Sequence, residues 1–141
     1  MPRTAIAILL GTLALTSCTP VVDVAFYNAT GQPIVIRNDA SPRPGVSIPP
    51  GAAVPADILV LRSGYPNQFT ITTPSHAWVY QHHLRLLGSV RRDYWEHGPS
   101  DSRRLHVSID SRGRIHLLSS SGTPVPQPAG FPISPDVQKK S

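Results

Sequence analysis

The side chains best suited to chemistry in this 141-residue chain are one cysteine, six histidines and a run of arginines interleaved with aromatics. Cys18 is the only thiol, so an intrachain disulfide and a cysteine-rich zinc site are both excluded. His76 and His82 fall on one face of an alternating segment, but six extended residues hold them about 20 Å apart. His82 and His83 point to opposite faces. His106 and His116 are expected as diagonal neighbours on the solvent face of one hairpin, able to share an ion only with a third ligand. No H-x-H or H-E-x-x-H spacing occurs. These histidines are therefore expected on solvated or polar-packed surfaces, with no metal and no cofactor.

Nucleophilic catalysis needs an activated serine or cysteine beside a base that an acid orients. No serine stands in a G-x-S-x-G frame, and Asp93 and Glu96 flank Tyr94-Trp95 in a stretch that leaves their separation unconstrained. The chain is not expected to be an enzyme. The richest candidate surface is Arg85 to Arg104 (RLLGSVRRDYWEHGPSDSRR). Arginine forks onto phosphate or carboxylate, and aromatic faces stack on sugars or guanidinium groups. Arg85, Arg91, Arg92, Tyr94, Trp95, Arg103 and Arg104 form the candidate binding surface. The alternative is that Tyr94 and Trp95 fill the core while the arginines are solvated or paired with Asp93, Glu96 and Asp101.

These residues need elements to hold them, and the first element is an address. Met1-Pro2-Arg3 gives a positive start, and Ala5 to Leu15 (AIAILLGTLAL) is an eleven-residue apolar stretch. That length suits a signal-peptide core and falls short of the ~20 residues that span a bilayer. The segment closes Leu15-Thr16-Ser17-Cys18, which resembles the lipobox of bacterial lipoproteins. Small residues at 16 and 17 let the backbone lie close in a peptidase groove, and the Cys18 sulfur is the atom that accepts a diacylglyceryl group. The resemblance implies cleavage before Cys18, acylation of the new N-terminus and a lasting membrane anchor, since each buried methylene contributes about 0.8 kcal/mol. An aspartate just after the cysteine commonly retains such proteins at the inner membrane. Thr19 stands there instead, so the resemblance favours the outer membrane, facing the periplasm.

Composition frames the rest. Eleven arginines and two lysines against eight acids give a net charge of +5, with charged residues at only 15%. In an exported chain this basicity points to anionic envelope material such as headgroups, lipopolysaccharide phosphates or acidic glycans, and not to nucleic acid. Sixteen prolines and ten glycines disfavour helix interiors and suit turns and edges.

The mature chain accordingly reads as all-β, a small antiparallel β-sandwich or half-open barrel of six to seven short strands. VVDVAFYN, the turn Ala29-Thr30-Gly31 and QPIVIRN fit a hairpin pairing Phe26 with Ile34 and Asp23 with Arg37, Gly31 taking the left-handed position. RRLHVSID, Ser111-Arg112-Gly113 and RIHLLS fit a second, with Asp110 opposite Arg114 and Leu105, Val107, Ile109, Ile115 and Leu117 on the buried face. Further strands are expected at Val46–Ile48 before the Pro49-Pro50-Gly51 turn, at Ala56–Leu61, at Gln68–Thr73 and at His76–His82. Leu84 to Trp95 fits either a short helix or a strand. Residues 1–17 are the expected signal peptide, 18–118 the lipid-anchored β-domain and 119–141 a proline-, serine- and glycine-rich tail. That tail is expected to be disordered, with Phe131 and Ile133 the only residues able to pin it.

The function expected is a non-catalytic outer-membrane lipoprotein acting as a periplasm-facing interaction or structural module. Its partners would be the membrane, through lipid on Cys18, and another envelope protein. The alternative is a glycan or lipopolysaccharide binder using segment 85–104.

Overall fold

The computed structural model describes residues 22–39, 43–56, 68–81, 90–98 and 103–141. Among these, ten strands form: β1 (Val22–Ala29), β2 (Ile34–Asn38), β3 (Val46–Ile48), β4 (Ala53–Ala56), β5 (Phe69–Thr72), β6 (His76–Tyr80), β7 (Trp95–His97), β8 (Arg103–Asp110), β9 (Ile115–Leu117) and β10 (Val137–Lys140). A 3₁₀ turn at Arg92–Tyr94 is the one helical element described. The strands make two sheets. The first, sheet A, runs β4-β1-β8-β7 with β9 also on β8; the second, sheet B, runs β10-β6-β5-β2-β3. Pairing is antiparallel except between β1 and β8, which run parallel. The fold is a small β-sandwich, as the alternating sequence predicts. The strand count exceeds the expected six to seven because several strands are only three or four residues long.

The β8–β9 hairpin matches expectation. Ile109 pairs with Ile115 and Val107 with Leu117, and Leu105, Val107, Ile109, Ile115 and Leu117 are all buried. Asp110 locks the turn: Oδ1 accepts from the backbone N–H of Arg112 and Arg114 at 2.9 and 3.0 Å. Gly113 sits at φ +74°, as the turn requires.

The first expected hairpin does not form a ladder. β1 pairs with β4 and β8 in sheet A, whereas β2 pairs with β3 and β5 in sheet B. The chain between them is an arch that crosses the sandwich, and Asp23 pairs with Arg104 rather than Arg37. Asn28 explains the difference. Its side chain is fully buried and donates through Nδ2 to the carbonyls of Gln32 (2.7 Å) and Ile48 (2.9 Å). Oδ1 accepts from Thr30 N and Thr30 Oγ1. These bonds replace the ladder that a tight hairpin would make, and Gly31 still takes φ +81°. β4 ends at Ala56, where the expected strand at Ala56–Leu61 begins, and 57–61 lies outside the described residues. His82 and His83 do so too.

Residues 119–141 are not a disordered tail; they close the sandwich. Gln127 Nε2 donates to the carbonyls of Leu117 and Val125, and its Oε1 accepts from Leu117 N at 2.8 Å. Ile115 and Ile133 exchange backbone bonds at 2.8 Å, and Ile133 is buried. The chain then crosses to sheet B, where β10 pairs with β6. Proline-rich composition argued for mobility, because proline cannot donate a backbone bond. Here Gln127, Ile133 and Asp136 supply the bonds instead, and β9 and β6 gain partners along edges otherwise left open.

The core lies between the sheets. Phe26 of sheet A meets Phe69 of sheet B with ring centroids 6.4 Å apart, and Phe69 stacks on Tyr80 at 4.6 Å. The Tyr80 hydroxyl donates to the Gly113 carbonyl, tying sheet B to the β8–β9 turn. Each fully buried apolar side chain of this size contributes about 1.5–3 kcal/mol.

Candidate functional site

The arginine–aromatic segment is only partly gathered by the fold. Arg85 lies outside the described residues, as does Cys18. Arg91 and Arg92 are exposed, and Arg91 Nη2 pairs with Asp93 Oδ2 at 3.1 Å. Trp95 is not a platform: it is 6% exposed, belongs to the core cluster and donates from Nε1 to the Val90 carbonyl at 3.0 Å. Tyr94 is half-buried and packs on the same core. The aromatic pair thus fills space under β7, which corrects the expectation of Trp95 as a binding residue. Alternation explains it: Trp95 pairs with Leu105 and so shares that residue's inward face.

The remaining arginines of the segment divide. Arg104 donates from Nε and Nη2 to Asp23 Oδ2, at 2.8 and 2.7 Å. Arg103 is exposed at the start of β8, level with Val22 of β1 and exposed His97 of β7.

The outer face of sheet A carries two histidine–carboxylate pairs. His106 Nε2 lies 2.6 Å from Glu96 Oε2, and His116 Nε2 lies 2.9 Å from Asp110 Oδ2. The hydrogen bond to His106, helped by the nearby Arg104 charge, holds the Glu96 carboxyl below its ordinary range. For Asp110, burial works upward. Bonds from His116, from the N–H groups of Arg114 and Arg112, and from the Arg114 guanidinium outweigh it and bring the group down to about 2. Tyr80 moves the other way, raised first by burial and then by the charges of Asp110 and Asp136.

A carboxylate that orients a histidine is one half of a hydrolytic relay, and the other half is a nucleophile on the far ring nitrogen. Among the described residues the one serine bonded to a histidine is Ser75, whose Oγ lies 2.8 Å from His76 Nδ1. The His76 ring stacks parallel to Trp78, and among the described residues no carboxylate bonds it. Three or more potential metal ligands do not cluster anywhere among the described residues. The two pairs link neighbouring strands: Glu96–His106 ties β7 to β8, and Asp110–His116 ties β8 to β9.

Sheet B offers a feature that sequence reasoning missed. A polar cleft of about 530 Å³ opens on its outer face, lined by Arg37, Asn38, Asp39, Gln68, Thr70, Ala77, Val79 and Lys139. Strand register builds it. Arg37, Thr70 and Val79 align across β2, β5 and β6, and Ala77 aligns with Lys139 across β6 and β10. Small side chains make the floor, and long cationic ones rise at the two sides. Asp39 is engaged by Gln68 Nε2 at 2.6 Å, Thr70 Oγ1 at 2.9 Å and Arg37 Nε at 3.4 Å. The alternation of β2 already turns Arg37 outward. Lys139 joins it only because the C-terminal segment forms a strand, a step its composition conceals.

No helix among the described residues is long and apolar enough to cross a membrane. Comparison with protein-family models, with curated proteins and with solved structures finds no match for this chain.

Proposed function

We propose that this chain is a lipid-anchored, non-catalytic interaction module of the bacterial envelope, held at the outer membrane and facing the periplasm, where it engages another envelope protein. One observation carries the reading. The only cysteine in the chain closes an eleven-residue apolar stretch in the sequence Leu15-Thr16-Ser17-Cys18, where a lipobox requires it. A compact sandwich whose His106 and His116 pair with carboxylates across neighbouring strands supports a binding role over a catalytic one. The test is in-cell crosslinking of the lipidated protein, with Cys18→Ser as the mislocalised control. A specific envelope-protein adduct that disappears in Cys18→Ser is expected. The same adduct persisting at full yield in Cys18→Ser would overturn the tethered reading.

A second reading, binding of an anionic glycan or lipopolysaccharide, is favoured by the cleft on sheet B, with Arg37 and Lys139 at its sides. It moves the ligand away from segment 85–104. Recovery of glycan or lipopolysaccharide alone in the crosslinking experiment, lost in Arg37→Glu, would select it.

A further inference from the structure

The parallel pairing of β1 with β8 fixes which end of sheet A adjoins the tether. Val22 is level with Arg103, and Arg103 is level with His97, so these three residues share one end. Ala29, Asp110 and the Asp110–Arg114 turn share the other. Seven residue steps along β8 separate the ends by about 23 Å. Between Cys18 and Val22 stand only Thr19, Pro20 and Val21. Fully extended, the four residue steps from Cys18 to Val22 span at most about 13–14 Å. A lipid on Cys18 therefore keeps the Val22 end near the headgroup layer.

A tether this short still leaves a choice between standing on that end and lying on a face. Sheet B is set about 10 Å behind sheet A, so resting on its outer face would consume most of the link. The outer face of sheet A carries Asp23, Glu96 and Asp110 against Arg104 and Arg114, all of them engaged in ion pairs with one another or with His106 and His116. Pressing that lattice of charges onto an anionic surface would desolvate it for no new partner and bring three carboxylates against phosphates. The Val22 end instead offers exposed Arg103 and His97, and an arginine at a wet rim can fork onto phosphate without being buried.

We propose, on the reading that Cys18 is lipidated, that sheet A stands end-on to the bilayer, with Arg103 and His97 among anionic phospholipid headgroups and the Asp110–Arg114 turn presented away from the membrane. The occupant of the Arg103 end is the same leaflet that holds the lipid chains.

The experiment uses the full lipidated chain in vesicles of phosphatidylethanolamine and phosphatidylglycerol. Lipid consumes the native thiol, so one added cysteine carries a fluorophore, either in Arg103→Cys or in Ser111→Cys. A nitroxide on the lipid headgroup quenches by proximity, and circular dichroism verifies that each variant keeps its β signal. Quenching several-fold stronger at 103 than at 111 is expected. A third variant, His97→Cys with Arg103 intact, should be quenched like 103; adding Arg103→Glu to it should reduce that quenching. Equal quenching at 103 and 111, or the reverse order, overturns the end-on placement while leaving the anchor intact. Radiolabelled palmitate incorporation, lost in Cys18→Ser, reports on the anchor separately. A chain that takes up no palmitate overturns the anchor, and the placement with it.

Discussion

At the scale of single residues, the carboxylates Asp23, Glu96 and Asp110 bond side chains on neighbouring strands. Asp110 is the clearest case. Its carboxyl is lowered from 3.8 to about 2 in the folded protein, so the folded state prefers the charged form. The stability this contributes is complete above the ordinary carboxyl range near pH 4 and is lost as pH falls through about 4 toward 2. Its size is about 1 kcal/mol after allowance for solvent screening of a partly exposed group. Chemical denaturation at pH 7 and pH 2.5 should show that loss in the native protein and a smaller one in Asp110→Asn. Trp95→Ala should cost about 3–5 kcal/mol in the same assay, the range for emptying a large aromatic site. Exposed Arg92→Ala should stay within about 0.5 kcal/mol. A near-neutral Trp95→Ala would restore that residue to the ligand-binding surface. Sequence alone left Trp95 undecided, because an aromatic beside arginines reads the same as core and as platform. Only its register against Leu105 separates the two.

At the scale of elements, alternation was legible, and neighbourhood was legible for β8 with β9 but not for β1 with β2. The inward faces of β1, β2, β8 and β9 could all be read from residues two apart, and Val24, Phe26, Ile34, Ile36, Leu105 and Ile115 are buried as that pattern requires. What alternation cannot say is which strand lies alongside. The Ala29-Thr30-Gly31 turn carries hairpin chemistry, yet β1 and β2 part into different sheets because buried Asn28 bonds the arch and the Ile48 carbonyl. Asn28→Ala should therefore destabilise by about 1–3 kcal/mol, by leaving buried carbonyls without donors. A genuine hairpin turn would be nearly indifferent to it. The β8–β9 turn gives a second test. A methyl group on Gly113 would lie 2.6 Å from the Trp78 ring, at a backbone φ of +74°. Strain and crowding together should make Gly113→Ala cost about 2–4 kcal/mol, read as a fall in the denaturation midpoint. The β10 strand was the element least legible, since Val137–Lys140 is exposed throughout and pairs with a strand some sixty residues earlier in the chain.

For the whole molecule, what the protein does rests on how the sandwich is held. A net charge of +5 with few acids suits an anionic environment, and a lipid on Cys18, as proposed, would leave the domain little freedom above a membrane. The proposed address could be read at all because the stretch resembling a lipobox is local and its cysteine is the only one in the chain. The cleft on sheet B was not legible, because it draws its residues from four strands spread between Arg37 and Lys139. The most direct test of the central claim is intact-protein mass spectrometry of the chain isolated from membranes of a bacterium that expresses it. The account predicts a polypeptide beginning at Cys18, lacking residues 1–17 and heavier by a diacylglyceryl group on the sulfur. A chain with a free Cys18 thiol, or one cut elsewhere, would contradict it.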